Sequence, residues 1–205
     1  MTLLLMSVMR NEAWLSQDGT QQIGPLFGFG PFLLRRRMQK MRIVGGSLAL
    51  GFSGPTLLAR WLHCQAIAFG CQSLDQLEAA MPDIWHRMPQ RGRSVALVMN
   101  AIGWSDRRER MAGLTFYSGD DMAPDECLDA ESVNVDIGTA TADAVERAGR
   151  DICVRHRLIG IDAARQSRAG TLPNRACISG ILRTLRCTRD RAEIVQAYDL
   201  DAPLA

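Results

Sequence analysis

The chain carries one lysine, Lys40, in the stretch RRRMQKMRIV, and its other basic residues are all arginine. The two cations differ in their chemistry. Guanidinium stays protonated and forms a broad planar fork, whereas the ε-ammonium is a compact charge whose pKa moves readily on burial. A single lysine among arginines points to a site that needs a small, tunable cation. Thr2, directly after Met1, is a second group with chemistry to offer. A threonine hydroxyl is a poor nucleophile until a base takes its proton. Once Met1 is removed, Thr2 supplies both groups: its Oγ attacks, and its own α-amine accepts the proton directly or through a water. An α-amine has an unperturbed pKa of about 7.7–8, so modest depression makes it a base near neutral pH. A cation close by, as Lys40 would be, pushes both the amine and the hydroxyl toward their deprotonated forms.

The other reactive side chains form no comparable set. His63, His86 and His156 show no metal-ligand spacing and fall in helical stretches, so core or surface roles are expected. Cys64, Cys71, Cys127, Cys153, Cys177 and Cys187 are scattered without a CxxC pair, which reads as reduced thiols. Nothing beside Cys153 or Cys177 suggests an activating base. The acidic run GDDMAPDECLDAE, residues 119–131, reads as a solvated loop. No metal or cofactor is called for.

Composition narrows the partners. The 205 residues suit one domain, 1–205, with a substantial core. Arginines cluster at Arg35–Arg37 and between Arg183 and Arg191, but no aromatic residues interleave with them, so nucleic acid is not an expected partner. The opening MTLLLMSVMRNEAW lacks a basic leader and a small-residue cleavage site. No stretch approaches the roughly 18 apolar residues of a membrane span. These features predict a cytoplasmic protein without membrane attachment.

The elements that must carry these residues follow from periodicity. Residues 2–8 and 12–18 read as strands across the turn MRN, and residues 19–40 as a long Gly- and Pro-rich loop. Its GxG is not followed by a helix start, which argues against dinucleotide binding. RIVGGSLALGF reads as a hairpin around Gly45-Gly46. A helix follows, with Pro55 in its first turn and Leu58, Trp61, Leu62 and Ala66 on one face. A second helix starts at Ser73, with Gln76 completing a capping box, and runs toward Trp85. Residues 94–102 and 111–117 form a strand pair across SDRRER, and residues 132–137 a further strand. Helices are expected over about 141–155 and 162–168, then a last strand pair, CISGILRTLRC and AEIVQAY. Two sheets face to face with a helix pair on each outer side use every element, so the expected fold is an α+β four-layer αββα sandwich.

At this point the chain resembles the proteasome β-type family of N-terminal nucleophile hydrolases, in particular its bacterial HslV-like branch. Four features carry the likeness: MT followed at once by a strand; SQDG, with Asp18 at the family's distance from the nucleophile; KMRIVGGSLALGFSG leading into the first helix; and the downstream order of strand pair, DIG, helix pair and strand pair. Lys40 falls where the family keeps its catalytic lysine. The loop before it is several residues longer than in HslV.

The resemblance implies a self-compartmentalising threonine endopeptidase, with Thr2 as nucleophile, Lys40 as the adjacent cation and Asp18 orienting and balancing it. It assigns the oxyanion to the backbone N–H of Gly51, on a strand that pairs with an extended peptide. Ser179 takes the place of a supporting serine, and Thr139 stands after DIG where relatives often carry serine. Ala176 departs from the pattern, since many relatives have aspartate there. It motivates an alternative, an inactive ring subunit serving as scaffold or binding chamber. A third reading is an amide hydrolase of the same fold that cuts a small amide. The implied partners are unfolded or peptide substrates, further copies in a homo-oligomeric ring or double ring, and an unfoldase, with helix faces including Trp61 or Trp85 at the subunit contacts.

Overall fold

The computed structural model describes residues 2–23, 34–37, 40–134, 138–172 and 178–202. In chain order the elements are β1 (Leu4–Val8), β2 (Glu12–Gln17), β3 (Thr20–Ile23), β4 (Leu34–Arg37), β5 (Arg42–Val44), β6 (Leu48–Ser53), α1 (Thr56–Ala68), α2 (Leu74–His86) and α3 (Gln90–Arg93). There follow β7 (Val98–Ser105), β8 (Arg110–Tyr117), β9 (Pro124–Cys127), β10 (Glu131–Val133), α4 (Thr139–Arg147), α5 (Ile152–Ala169), β11 (Ile181–Thr188) and β12 (Ala192–Asp199).

Two five-stranded antiparallel sheets dominate. The first has the order β10-β1-β2-β11-β12 and the second β5-β6-β7-β8-β9, while β3 and β4 form a separate pair. β1 is buried throughout because it faces two cores. Leu3 and Leu5 pack with Val145, Ile159, Ala163 and Leu182, joining the first sheet to α4 and α5. Leu4, Met6 and Val8 pack with Leu15, Ala49, Ile102 and Met111, residues drawn from both sheets. On the far side of the second sheet, Leu50 and Phe52 pack with Leu62, Leu77, Ile84 and Trp85 of α1 and α2. A strand buried on both faces needs no polar alternation, which is why TLLLM reads as a continuous apolar run.

Local chemistry explains the joints. Gly45 and Gly46 have φ of +61° and +90°, which lets the β5–β6 turn close. At the start of α2, Ser73 accepts from the Gln76 N–H while the Gln76 side chain accepts from the Ser73 N–H, the reciprocal bonding that the S-x-x-Q pattern predicts. The SDRRER turn is anchored by Arg108, which pairs with Asp75 and Glu78 of α2 and with Glu126 of β9. Among the described residues, no helix is long and apolar enough to cross a membrane.

Several expectations are corrected. The span 19–40 is not loop throughout: β3 and β4 pair from Thr20↔Arg37 to Ile23↔Leu34. TQQI and LRRR carry no hydrophobic period, so a ladder made by the main chain left no mark in the sequence. Part of the acidic run is also a strand, since β9 pairs along β8 from Gly113↔Cys127 to Phe116↔Pro124. An edge strand can be polar and still hydrogen-bond. Pro55 is the N-cap of α1 rather than a residue of its first turn. The break between the last two helices lies at Ala148–Asp151, where Gly149 has φ +60° and the Asp151 carboxylate accepts from the Val154 N–H at 3.0 Å. Residues 156–161, expected between helices, therefore lie inside α5. Trp85 is 1 % exposed, and its Nε1 donates to Asp121 at 3.3 Å, so it serves the internal core and cannot serve a subunit contact.

Candidate active site

The start of β1 brings three of the sequence-derived residues together. Thr2 and Asp18 are 5 % and 1 % exposed. Asp18 directly follows β2, which pairs with β1 through Leu4↔Gln17, so the register alone sets it beside the chain start. Its Oδ1 accepts from the Leu3 N–H at 2.8 Å, and its own N–H donates to Leu3 O at 3.4 Å. Lys40 arrives from the other sheet, two residues before β5, and its Nζ donates to Thr2 Oγ1 at 2.5 Å. Residues 38 positions apart in the chain thus meet between two sheets.

Three residues that sequence reasoning passed over complete the surroundings of Thr2. Ser53, the last residue of β6, accepts from the Thr2 N–H at 3.3 Å, and its hydroxyl donates to Thr2 O at 3.4 Å. Asn134, just past β10, donates from Nδ2 to Thr2 O at 2.7 Å and accepts the Leu4 N–H at 2.8 Å. Its carboxamide thereby extends the β10–β1 ladder by one mimicked peptide unit. Gln17 grips β6: its Oε1 accepts from the Phe52 N–H at 3.4 Å and its Nε2 donates to Phe52 O. All three sit inside segments already marked (LGFSG, SVNVDI and SQDG), but polar residues at strand ends are too common to stand out.

Gly51 lies on β6 opposite Asn100 of β7, one residue beyond the last β5 partner, Leu50. A Cβ at Gly51 would approach Leu4 Cδ1 to 2.8 Å and Leu15 Cδ2 to 3.1 Å. Glycine here makes room for the neighbouring sheet. Ser179 is buried just before β11. The pairing Arg183↔Gln17 puts it at the end of the first sheet that holds Thr2 and Asp18. Thr139 is an exposed residue at the first position of α4. Ala176 and the DI of DIG lie outside the described residues.

Beside Lys40 opens a cavity of about 80 Å³, lined among others by Arg42, Arg60, His63 and Phe52. Burial, reinforced by the Arg42 charge, holds the His63 imidazole below its ordinary pKa. Its Nε2 is buried without a hydrogen-bond partner.

A second polar cluster lies toward the other end of β1. His156 of α5 is fully buried; its Nε2 is 2.8 Å from Ser7 Oγ and its Nδ1 2.7 Å from Ser16 Oγ. Ser16 reaches Thr184 at 2.7 Å, and Ser7 donates to Glu131 at 2.9 Å. Burial holds His156 below its usual pKa. Burial opposes ionisation of Glu131 too, but hydrogen bonds from His156, Arg155 and Ser7 bring its carboxyl down to about 2.

Burial raises the thiol pKa at Cys71, Cys127, Cys153 and Cys187, which disfavours the thiolate at each. Burial pushes Cys187 up to about 12, and burial with the Asp151 charge raises Cys153. Neither a protein-family model nor any curated protein matches the chain.

Proposed function

We propose that this chain is a threonine peptidase of the N-terminal nucleophile type, with the four-layer αββα arrangement and ring assembly of the proteasome β-type and HslV-like proteins it resembles. The observation that carries the reading is the bond from Lys40 Nζ to Thr2 Oγ1, with Asp18 against the same turn of chain. It joins the only lysine to the one hydroxyl that removal of Met1 would pair with a free amine.

In this mechanism, release of Met1 exposes the α-amine of Thr2. The amine takes the Oγ proton as Oγ attacks the peptide carbonyl, and the Lys40 charge favours the deprotonated form of both groups. The tetrahedral intermediate collapses to a threonyl ester, and the proton passes to the leaving amine. Water then adds to the ester with the α-amine again as base, and the freed acid leaves Oγ reprotonated. Asp18 balances the ammonium and holds the chain start through the Leu3 amide. Ser53 and Asn134 fix the peptide unit that follows the attacking group, which keeps the nucleophile oriented. In this reading the Gly51 amide receives the oxyanion, and the segment beyond Leu50 pairs with an extended substrate.

The test is an intact mass before and after a peptide epoxyketone, which needs both the hydroxyl and the free amine of an N-terminal threonine. Loss of Met1 and one adduct, absent in Lys40→Ala, is the expected result. A free Thr2 that never reacts, or a retained Met1, would move the weight to an inactive ring subunit.

A further inference from the structure

The cavity beside Lys40 deepens the reading just given, and rests on it. Lys40 both donates to Thr2 Oγ1 and forms part of the cavity wall, so whatever fills the cavity lies next to the attacked carbonyl. The rest of the wall is strongly one-sided. Arg42 comes from β5, and Arg60 and His63 from α1, while no carboxylate lines the cavity among the described residues. Among the described residues, neither Arg42 nor Arg60 is in a salt bridge. Gathering three cations and an imidazole around one hollow is unfavourable in the empty protein, because like charges oppose one another. At His63, burial first and the Arg42 charge second hold the imidazole below its ordinary pKa, and its Nε2 has no partner among the described residues. A buried polar atom of this kind costs free energy until something bonds it. The cavity volume of about 80 Å³ is several times the ~10–15 Å³ that admits one water. Phe52 and Ala59 supply an apolar portion suited to the methylenes of a short side chain.

We propose that this cavity receives the side chain preceding the scissile bond and selects a carboxylate there, so that the enzyme cuts after glutamate or aspartate. Arg42 and Arg60 supply the opposing charge, and His63 Nε2–H donates to the incoming oxygen. A basic side chain at the same position meets like charge and is rejected.

The experiment uses the purified full chain and peptide epoxyketones that differ only at the residue next to the reactive group: glutamate, leucine or arginine. An isomer of the glutamyl reagent carries its glutamate two residues further away, which preserves net charge. Labelling of Thr2 is followed by intact mass. The glutamyl reagent is expected to react roughly tenfold faster than the leucyl one and faster still than the arginyl one, with its isomer no better than leucyl. Arg60→Glu, at an exposed helix position, should erase that ratio and raise labelling by the arginyl reagent. Labelling with leucine equal or preferred, or with the isomer as fast as the parent, overturns the proposal and leaves Thr2 as nucleophile. No labelling by any reagent removes the nucleophile reading and this proposal with it.

Discussion

β1 carries a hydroxyl with a basic partner toward each end, and the two differ in ways that decide what each can do. At Thr2 the partner is Lys40, a cation beside a cavity, and the neighbouring acid, Asp18, bonds the main chain of Leu3 rather than the hydroxyl. At Ser7 the partner is His156, and the set of types (Ser, His, Glu) looks the more familiar for hydrolysis. Its geometry is wrong. A relay needs the acid on the far nitrogen of the imidazole, but that nitrogen faces the Ser16 hydroxyl, and Glu131 sits on the Ser7 side as acceptor of the Ser7 proton. Ser7 donates to Glu131 and Ser16 donates to Thr184, so both hydroxyl protons are directed away from the imidazole and neither serine is set to give its proton to His156. A buried network tied this way is a structural rivet between α5 and the first sheet. Residue type names a candidate; the placement of its partners assigns the work.

The comparison breaks most sharply on rate. Lys40→Ala is expected to lower turnover of a peptide substrate by roughly 10³-fold with an unchanged melting temperature, and Lys40→Arg should rescue little of it, because the broader fork does not reproduce the compact contact. His156→Ala should do the reverse. It removes a buried partner from both Ser7 and Ser16 and leaves a void, and is expected to cost about 2–5 kcal/mol in denaturant unfolding, while the rate per folded molecule stays near wild type. A His156 variant that folds normally but cannot cleave would transfer the catalytic assignment to the Ser7 cluster.

Acid sharpens the same contrast. The unfolded chain protonates His156 near 6.5, whereas the folded chain holds it lower; it protonates Glu131 near 4.5, whereas the folded value is about 2. In both cases the unfolded state binds more protons as pH falls. Stability is therefore expected to decline below about pH 6.5, and further between about 4.5 and 2. The Glu131 share is on the order of 1–3 kcal/mol, and Glu131→Gln should flatten the lower part of the curve in melts run across pH. The smallest effect is expected from Asn134→Ala, which removes two bonds to the start of β1 and should cost about 1–2 kcal/mol with a several-fold loss of rate.

Much of this arrangement is legible in the sequence, and the illegible parts share a cause. β1, β2 and the hairpin around Gly45-Gly46 follow from apolar runs and turn residues, because burial and positive φ demand particular side chains. The sole lysine and the early Thr2 could be read because they are rare types or rare positions. Ser53, Asn134 and Gln17 could not, since their value lies in which main-chain atoms they meet across 35 to 132 positions of separation. β3, β4 and β9 escaped for a related reason: main-chain pairing holds them, and main-chain atoms are the same in every residue. The cationic cavity escaped as well, because Arg42, Arg60 and His63 converge from a strand and a helix, and no single stretch shows them together.

The pairing of β2 with β11 sets a schedule for the molecule's making. Thr184↔Ser16 and Arg183↔Gln17 tie the strand before Asp18 to a segment synthesised more than 160 residues later. Until that segment emerges, β2 lacks one neighbour and Asp18 has no finished sheet behind it. Contacts this remote slow folding, since a long loop must close before any of them forms. A ribosome-bound fragment ending before residue 181 would therefore lack the finished sheet behind Asp18 and Thr2. The Lys40–Thr2 contact is thus seated on a scaffold whose last strand is made more than 160 residues after its first.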